Sequence, residues 1–571
     1  MVPAVTRHGP PVGIGSLAAE YWEGYLREHP LFATMIGVPG HDDRLSDITP
    51  AGRARNVARL EGWLAHARNI PEGGLAAGDR VTRQELETAI VTDLDQLRCD
   101  LEDWTVDPVD GPVVSFLNVE SYQAVRAVDE GRAMVARWRA MGPWVDDHVA
   151  NLRRGLAAGK IAVRSGIQKV LEQIEDLDRK PIDAWALLKP LGAPFAGWTD
   201  DERVEFRDSL TSAVRDGVRP AFLRLRDALR DELLPRARPD ERPGIMHVPE
   251  GPTAYTRLIH AYTALDLAPD DVHAIGLREV ARINGEMEDL GERVLATRDL
   301  PAILRRLRTD PGLYFRTREE VETQARDALA RARAATPRWF GRLPKADCEV
   351  VRMEEHEEKH SMIAYYTLPA MDGSRPGRYY INTSAPETRP RYEAEALTYH
   401  ESIPGHHLQI AIAQELDGLP EFRKHLGVTA FVEGWGLYTE RLADEMGLYT
   451  SDLDRIGVLS YDAWRACRLV VDTGMHAKGW SRRQAIDFML ANTALAENNI
   501  VNEVDRYIAW PGQALAYKVG QLKIRRLRAD AERRLGSRFD IRAFHDAVLG
   551  NGAVSLETLR ERIEEYIAVA A

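Results

Sequence analysis

Chemistry is concentrated in one run, Tyr392-Glu393-Ala394-Glu395-Ala396-Leu397-Thr398-Tyr399-His400-Glu401-Ser402-Ile403-Pro404-Gly405-His406-His407-Leu408-Gln409, which places three histidines and a glutamate within eight residues. Hydrolysis at a zinc ion needs neutral nitrogen donors, an oxygen donor, an open position for water and a carboxylate to take that water's proton. The familiar arrangement is His-Glu-x-x-His, where histidines four apart share a helix face and the Glu follows the first. Here His400-Glu401 opens the pattern, but Pro404 stands where the second histidine belongs. Pro404 removes a helical N–H and Gly405 permits unusual backbone angles, so the helix is expected to be bulged or broken there. In an unbroken helix His407 would lie about 10 Å along the axis from His400, too far for both to bind one ion. A two-residue insertion displaces the usual partner to His406, which is read as the second ligand, with His407 as the alternative.

A third ligand must come from another helix, and Phe431-Val432-Glu433-Gly434-Trp435-Gly436-Leu437-Tyr438 offers one. Phe431, Trp435, Tyr438 and Leu442 form an apolar stripe, while Gly434 and Gly436 would let the helix approach its neighbour closely. Glu433 then points inward as the oxygen donor. Its plainer alternative is a surface pair with Arg441 or Arg423. A second run, His356-Glu357-Glu358-Lys359-His360, matches His-Glu-x-x-His by letter. It lies between two extended-looking segments among charged neighbours and lacks an apolar face, so it is read as a solvated hairpin connection. Arg506 with Tyr507 is a candidate for holding a substrate carboxylate, because a guanidinium fork suits that group; the alternative is an ion pair with Asp505. Tyr380 lies in a strand, Arg378 to Asn382, that is a candidate for pairing with an extended peptide; the alternative is an internal strand.

The elements that must position these residues are mostly helices. From about Leu17 to Leu343 apolar residues recur at three- and four-residue spacing, as in Ala124 to Arg139, Met141 to Ala158 and Val204 to Leu234. Pro and Gly clusters at Val38-Pro39-Gly40, Asp107 to Pro112, Lys189 to Gly197 and Arg236 to Pro252 mark the loops. Glu349 to Met353, Met362 to Leu368 and Arg378 to Asn382 carry β-branched and aromatic residues and predict a small sheet. Helical periodicity returns at Tyr392 and runs to Ile567, with Ser481 placed to cap a helix from Arg482. The expected fold is mainly α with a small β-sheet next to the metal-site helix, divided into a helical N-terminal region, 1–344, and a catalytic region, 345–571.

At 571 residues the chain is long enough for several cores, and 44% hydrophobic with 29% charged residues is ordinary for a folded protein. A net charge of -13 with interleaved basic residues argues against a nucleic-acid partner. No segment reads as a signal peptide or approaches the ~20 apolar residues of a membrane helix, so a cytoplasmic protein with no membrane partner is expected. Cys99, Cys348 and Cys467 lack metal or disulfide spacing and are expected as buried thiols.

The sequence resembles the bacterial family called domain of unknown function 885. The likeness runs through Pro30 to Asp47, His400 to Gln409, Val432-Glu433-Gly434-Trp435, Asp472-Thr473-Gly474-Met475-His476 and Trp510-Pro511-Gly512-Gln513-Ala514-Leu515-Ala516-Tyr517-Lys518. That family is similar to gluzincin-type metallopeptidases in its His-Glu plus downstream Glu, and many of its members look exported or lipidated. The resemblance implies a zincin-like helical metallohydrolase with one zinc ion per chain. Glu401 would activate a zinc-bound water against an amide bond of a short peptide and pass the proton to the leaving nitrogen. Tyr517, and after it His476, are the implied donors to the oxyanion; each has the alternative of a packed, hydrogen-bonded side chain. Two other functions compete: a metal-dependent hydrolase of a non-peptide amide, and a non-catalytic metal- or substrate-binding protein. Retention of Glu401 argues against the second.

Overall fold

The computed structural model describes residues 13–353, 358, 363–370, 373 and 375–571. It is mainly helical, 72% helix against 3% strand, which decides the class in favour of mainly α. Helix α1, Val128–Ala157, joins the two stretches Ala124 to Arg139 and Met141 to Ala158 that the periodicity reads separately. It runs through Pro143 because Met134, Trp138, Met141, Val145, Val149 and Leu152 form one buried face on both sides of the proline. An interior proline costs about 3 kcal/mol, whereas each fully buried side chain of this size contributes about 1.5–3 kcal/mol. Conversely, the stretch Val204 to Leu234 is interrupted twice, by π-helical turns at Ala213–Val218 and Leu229–Leu233.

Helix α2, Pro269–Leu295, lies along a later long helix, and α3, Arg318–Ala335, packs on the first strand. The predicted strands form as β1, Cys348–Arg352, β2, Ala364–Thr367, and β3, Gly377–Ile381. Their order is β1-β3-β2, with β3 parallel to β1 and antiparallel to β2. Tyr379 and Ile381 face the core, and Arg378 and Tyr380 the other side. The sheet packs against α4, Ala394–Glu401, which is followed by α5, His406–Gln414, and α6, Thr429–Glu445. Next come α7, Asp452–Lys478, the long partner of α2, then α8, Glu497–Ala509, and α9, Ala516–Leu535. Ser481 caps Arg482–Asn492 by accepting from Gln484 N–H, as its position predicts.

Among the described residues, one core unites Val81, Leu258, Ala328, Val350, Tyr379, Tyr399, Trp435, Leu515 and Ile563, so it draws on both sides of residue 345. A second, with Ile283, Ile303, Val470, Met489 and Val504, does the same. All three cysteines are free and buried, as expected. No described helix is long and apolar enough to cross a membrane.

Two contacts hold the helices of the C-terminal half. First, α6 and α9 meet at glycine: a Cβ on Gly434 would stand 2.5 Å from Gly520 Cα, and one on Gly520 1.7 Å from Ala430 O. Second, the fully buried Lys518 of α9 donates to Asp462 of α7 and pairs with Glu279 of α2 at 3.1 Å. Arg441 of α6 reaches the same Asp462 at 2.6 Å and Glu286 at 2.7 Å. A buried charge left without its partner is strongly destabilising, so this set fixes four helices in one relative position.

The glycine contact generates a stability prediction. Gly434→Ala should lower folding stability by about 1–3 kcal/mol through overpacking. Gly62→Ala, exposed on a helix with nothing within 4 Å, should be neutral or gain stability. Chemical denaturation of both variants checks the pair; equal midpoints would contradict the packing account.

Candidate metal centre

The helix that carries His400 stops at Glu401, and a new one starts at His406. Between them the Ile403–Pro404 peptide is cis. The chain folds back so tightly that a Cβ on Gly405 would stand 1.9 Å from His400 O, which only glycine allows. Trp435 Nε1 of α6 donates to Pro404 O at 3.0 Å, and Ser402 O accepts from His407 N–H, so the turn is clamped from both sides. The break predicted from Pro404 is therefore present, and it returns His406 to the side of His400.

His400, His406 and Glu433 converge, their ligand atoms lying within 4.8 Å of one another. Glu433 Oε2 is 3.7 Å from His400 Nε2 and 3.6 Å from His406 Nε2, and the two imidazoles are nearly perpendicular. Tetrahedral donors about 2.0–2.1 Å from one zinc ion stand about 3.3 Å apart, so the set fits such an ion with little adjustment. Helix α6 supplies more than the oxygen ligand here. Glu433, Gly436 and Glu440 are spaced i, i+3, i+7 and share one face. The His400 ring rests on Gly436, where a Cβ would be 2.7 Å from Cε1. Glu433 brackets the ring at Nε2, and Glu440 accepts from Nδ1–H at 2.8 Å. That bond fixes the orientation of the ring, so that Nε2, which faces Glu433, is the nitrogen a cation would take once its proton is displaced.

The electrostatics follow from burial and close partners. Burial opposes protonation of His400, but the facing carboxylates of Glu433 and Glu440 outweigh that and lift its pKa to about 9. Burial also pushes Glu433 up, yet the neighbouring imidazoles of His400 and His406 hold it well below the usual carboxylate range. Glu401 goes the other way: burial raises it, the two histidines offset this only in part, and the charge of Glu433 adds to it. Half-buried, Glu401 makes no hydrogen bond or ion pair among the described residues. Two carboxylates beside the same imidazoles are thus driven apart, one permanently charged and one inclined to take a proton.

His407 is turned away from the cluster. Tyr366 Oη donates to its Nδ1 at 2.8 Å and its Nε2–H donates to Ala346 O at 3.1 Å, so both nitrogens are committed to the sheet side. Burial lowers its pKa to about 4, and it stays neutral. The surface pairing considered for Glu433 does not form, since Arg441 binds Asp462 and Glu286, and Arg423 binds Thr82 and Asn551. Tyr517 opens α9 half-buried, electrostatically coupled to Glu433, with the Arg468 guanidinium 4.3 Å from its ring centre.

Four expected roles are corrected. His476 accepts from Ile245 N–H at 3.0 Å and donates to Tyr507 O at 3.0 Å, which leaves no ring nitrogen for an oxyanion. Tyr507 is fully buried, its hydroxyl donating to Glu503 at 2.6 Å and accepting from Arg468 Nε at 2.9 Å, so it binds no substrate. Arg506 is spent on Glu503 and on Gln513 Oε1 at 2.8 Å; Asp505 pairs instead with Lys169 and Arg482. Tyr380 lies on β3, the central strand, whose backbone is paired on both edges and cannot accept a peptide; its ring stacks on Tyr365. The run His356 to His360 lies outside the described residues except for Glu358. That residue is helical and buried, accepting from Thr383 N–H and Oγ1 and pairing with Arg318, so the solvated reading does not hold for it. Sequence reasoning passed over Glu440, although its place seven residues after Glu433 with Gly436 between is the signal that marks it.

Residues 30–563 match the model of the family described as bacterial protein of unknown function, DUF885, and the chain belongs to that family. Among solved structures the chain is similar to a candidate lipoprotein from Colwellia psychrerythraea. Identity is 27% and the TM-score 0.90, over 97% of this chain and 99% of that one. It is also similar in fold to a candidate lipoprotein of unknown function from Shewanella oneidensis, at 18% identity and TM-score 0.75, over 96% and 99% of the two chains. No curated protein matches the sequence.

Removing the carboxylate behind His400 should be felt at the metal position. Glu440→Ala is expected to weaken zinc binding by about 10–100-fold, measured by competition with a chromophoric chelator, whereas His407→Ala keeps its affinity. Because His400 holds a proton up to about pH 9, a cation must displace it. Apparent affinity should therefore rise about tenfold per pH unit between pH 6 and 8. A flat profile would contradict this electrostatic picture.

Proposed function

We propose that this DUF885 member is a zinc-dependent hydrolase of amide bonds, zincin-like in its centre, that acts on short peptides. The observation that carries the reading is Glu401: a half-buried carboxylate with raised proton affinity and no partner of its own, directly following a histidine that converges with His406 and Glu433. A purely structural metal site has no use for such a group. A zinc ion held by His400, His406 and Glu433 would supply a Lewis acid, polarising a carbonyl and lowering the pKa of water.

The chain's own residues account for the rest. Glu401 takes the proton from the attacking water and returns it to the leaving nitrogen, a task suited to a carboxylate whose pKa burial has moved toward neutrality. Glu433 stays charged and balances the cation. Glu440 holds His400 in the productive orientation, and Gly436 gives the ring its seat. Tyr517, near enough for the Glu433 charge to act on its hydroxyl, is the donor for the developing oxyanion. The side chain of His400 is only 4% exposed and that of Glu433 21%, a recessed position that favours a thin, extended substrate over a folded one.

Metal content by mass spectrometry with turnover of a short-peptide library tests the reading. The unaltered protein should carry about one zinc ion per chain, and His400→Ala and Glu433→Ala should lose it. Glu401→Gln should keep the metal and lose about 10²–10⁴-fold in turnover. A protein that takes up no zinc at neutral pH, or a Glu401→Gln variant with undiminished turnover, would overturn the proposal.

A further inference from the structure

Helix α7 carries a second group of charged residues beside the centre, and its hydrogen bonds do not close. Arg465 is only 5% exposed, yet its Nε has no hydrogen-bond partner among the described residues. One N–H at NH1 reaches Tyr461 O at a long 3.4 Å, and NH2 stands 3.7 Å from Glu440 Oε1, beyond hydrogen-bonding distance. That carboxylate is already bonded to His400. The guanidinium is flanked by Trp464 and Tyr461, their ring centres 4.3 and 4.5 Å away. Aromatic contact covers the faces of a guanidinium and leaves its in-plane N–H groups to meet a ligand.

One turn further on, Arg468 shows the contrast. It donates to Tyr507 and Glu503 and packs on Trp464 and Tyr517. Its charge is balanced by Glu503, and only NH1 lacks a partner. Arg465 is thus the cation whose N–H groups are left over. It lies behind the carboxylate that orients His400, and its charge acts on Glu401. A guanidinium with N–H groups to spare is suited to a planar anion such as a carboxylate, which arginine often binds through two parallel hydrogen bonds.

Resting on the reading of the centre as hydrolytic, we infer that Arg465, backed by Arg468, receives a carboxylate of the substrate and so selects peptides with a negative charge beside the scissile bond. The carboxylate can be a peptide's free C-terminus or an acidic side chain. Both present the same two oxygens to the fork.

Titration calorimetry on the zinc-supplied, full-length Glu401→Gln protein separates the sources without any turnover. The probes are N-acetyl-Ala-Ala, its C-terminal amide, and N-acetyl-Ala-Glu amide. At least one of the two carboxylate-bearing probes should bind more than about tenfold tighter than the neutral amide. Which of them does so identifies the source. Arg465→Gln in the same background should bring the probes to within about twofold while zinc content stays unchanged, and Arg465→Lys should restore part of the preference. If Arg465 is only a counter-charge for Glu440, all three probes bind alike; that result, no binding by any probe, or a preference that survives Arg465→Gln overturns the inference. The comparison of acid with amide in the Glu401→Gln protein stands even if Arg465→Gln fails to fold. An Arg465-dependent preference without turnover by the unaltered protein would sink the hydrolase reading alone, and turnover without the preference would sink this one alone.

Discussion

A side chain larger than hydrogen at residue 436 would collide with the His400 imidazole, and one at residue 434 would collide with the backbone of Gly520. These two exclusions set how closely α6 approaches α4 on one side and α9 on the other. Glu433 and Glu440 then fall on the two nitrogens of one ring, because the glycine seat and both carboxylates share a single face of α6. Behind that face, Asp462, Lys518 and Arg441 tie α6, α7 and α9 together with the ends of their charges satisfied by Glu279 and Glu286. Apolar packing alone would let the helices slide by a fraction of a turn. Ion pairs in a dry interior do not, since any slip strands a charge.

The same few residues create opposite environments for two carboxylates. Glu433 receives two imidazoles and is locked into its anion, while Glu401, one residue from His400 in sequence, is given burial and a neighbouring negative charge. Division of labour between acid–base work and charge balance is therefore built by position rather than by residue type. His400 and His406 present one nitrogen each toward Glu433, and the differences between them lie behind the rings: Glu440 backs the first, whereas His406 Nδ1 has no partner among the described residues.

Much of this was legible in the sequence, and the limits have physical causes. The strands were readable to within about two residues because β-branched and aromatic side chains cluster there, and the helix break because Pro404 and Gly405 admit little else. Glu433 was readable from the glycines that flank it. What escaped was fixed by distant partners. His476 looks available until Ile245, 231 positions away, is seen to donate to it. His407 competes with His406 on spacing alone, and only Tyr366 and Ala346, brought up by the sheet, decide between them. Tyr380 was placed in the right strand but with the wrong neighbours, since the order β1-β3-β2 puts a late strand in the middle. Ala124 to Arg139 and Met141 to Ala158, read as separate stretches, are one helix because a continuous buried face runs through both.

Consecutive histidines that face opposite ways have a mechanical consequence. His407 is moored to Tyr366 of β2 and to the chain just before β1, while His406, one peptide unit away, is turned toward Glu433. The start of α5 therefore acts as a short lever with the sheet at one arm and the cation position at the other. A displacement of the sheet would be felt at His406, because only one peptide unit separates it from the moored His407. Rigidity at the centre is in this sense borrowed from three short strands that contribute no ligand of their own.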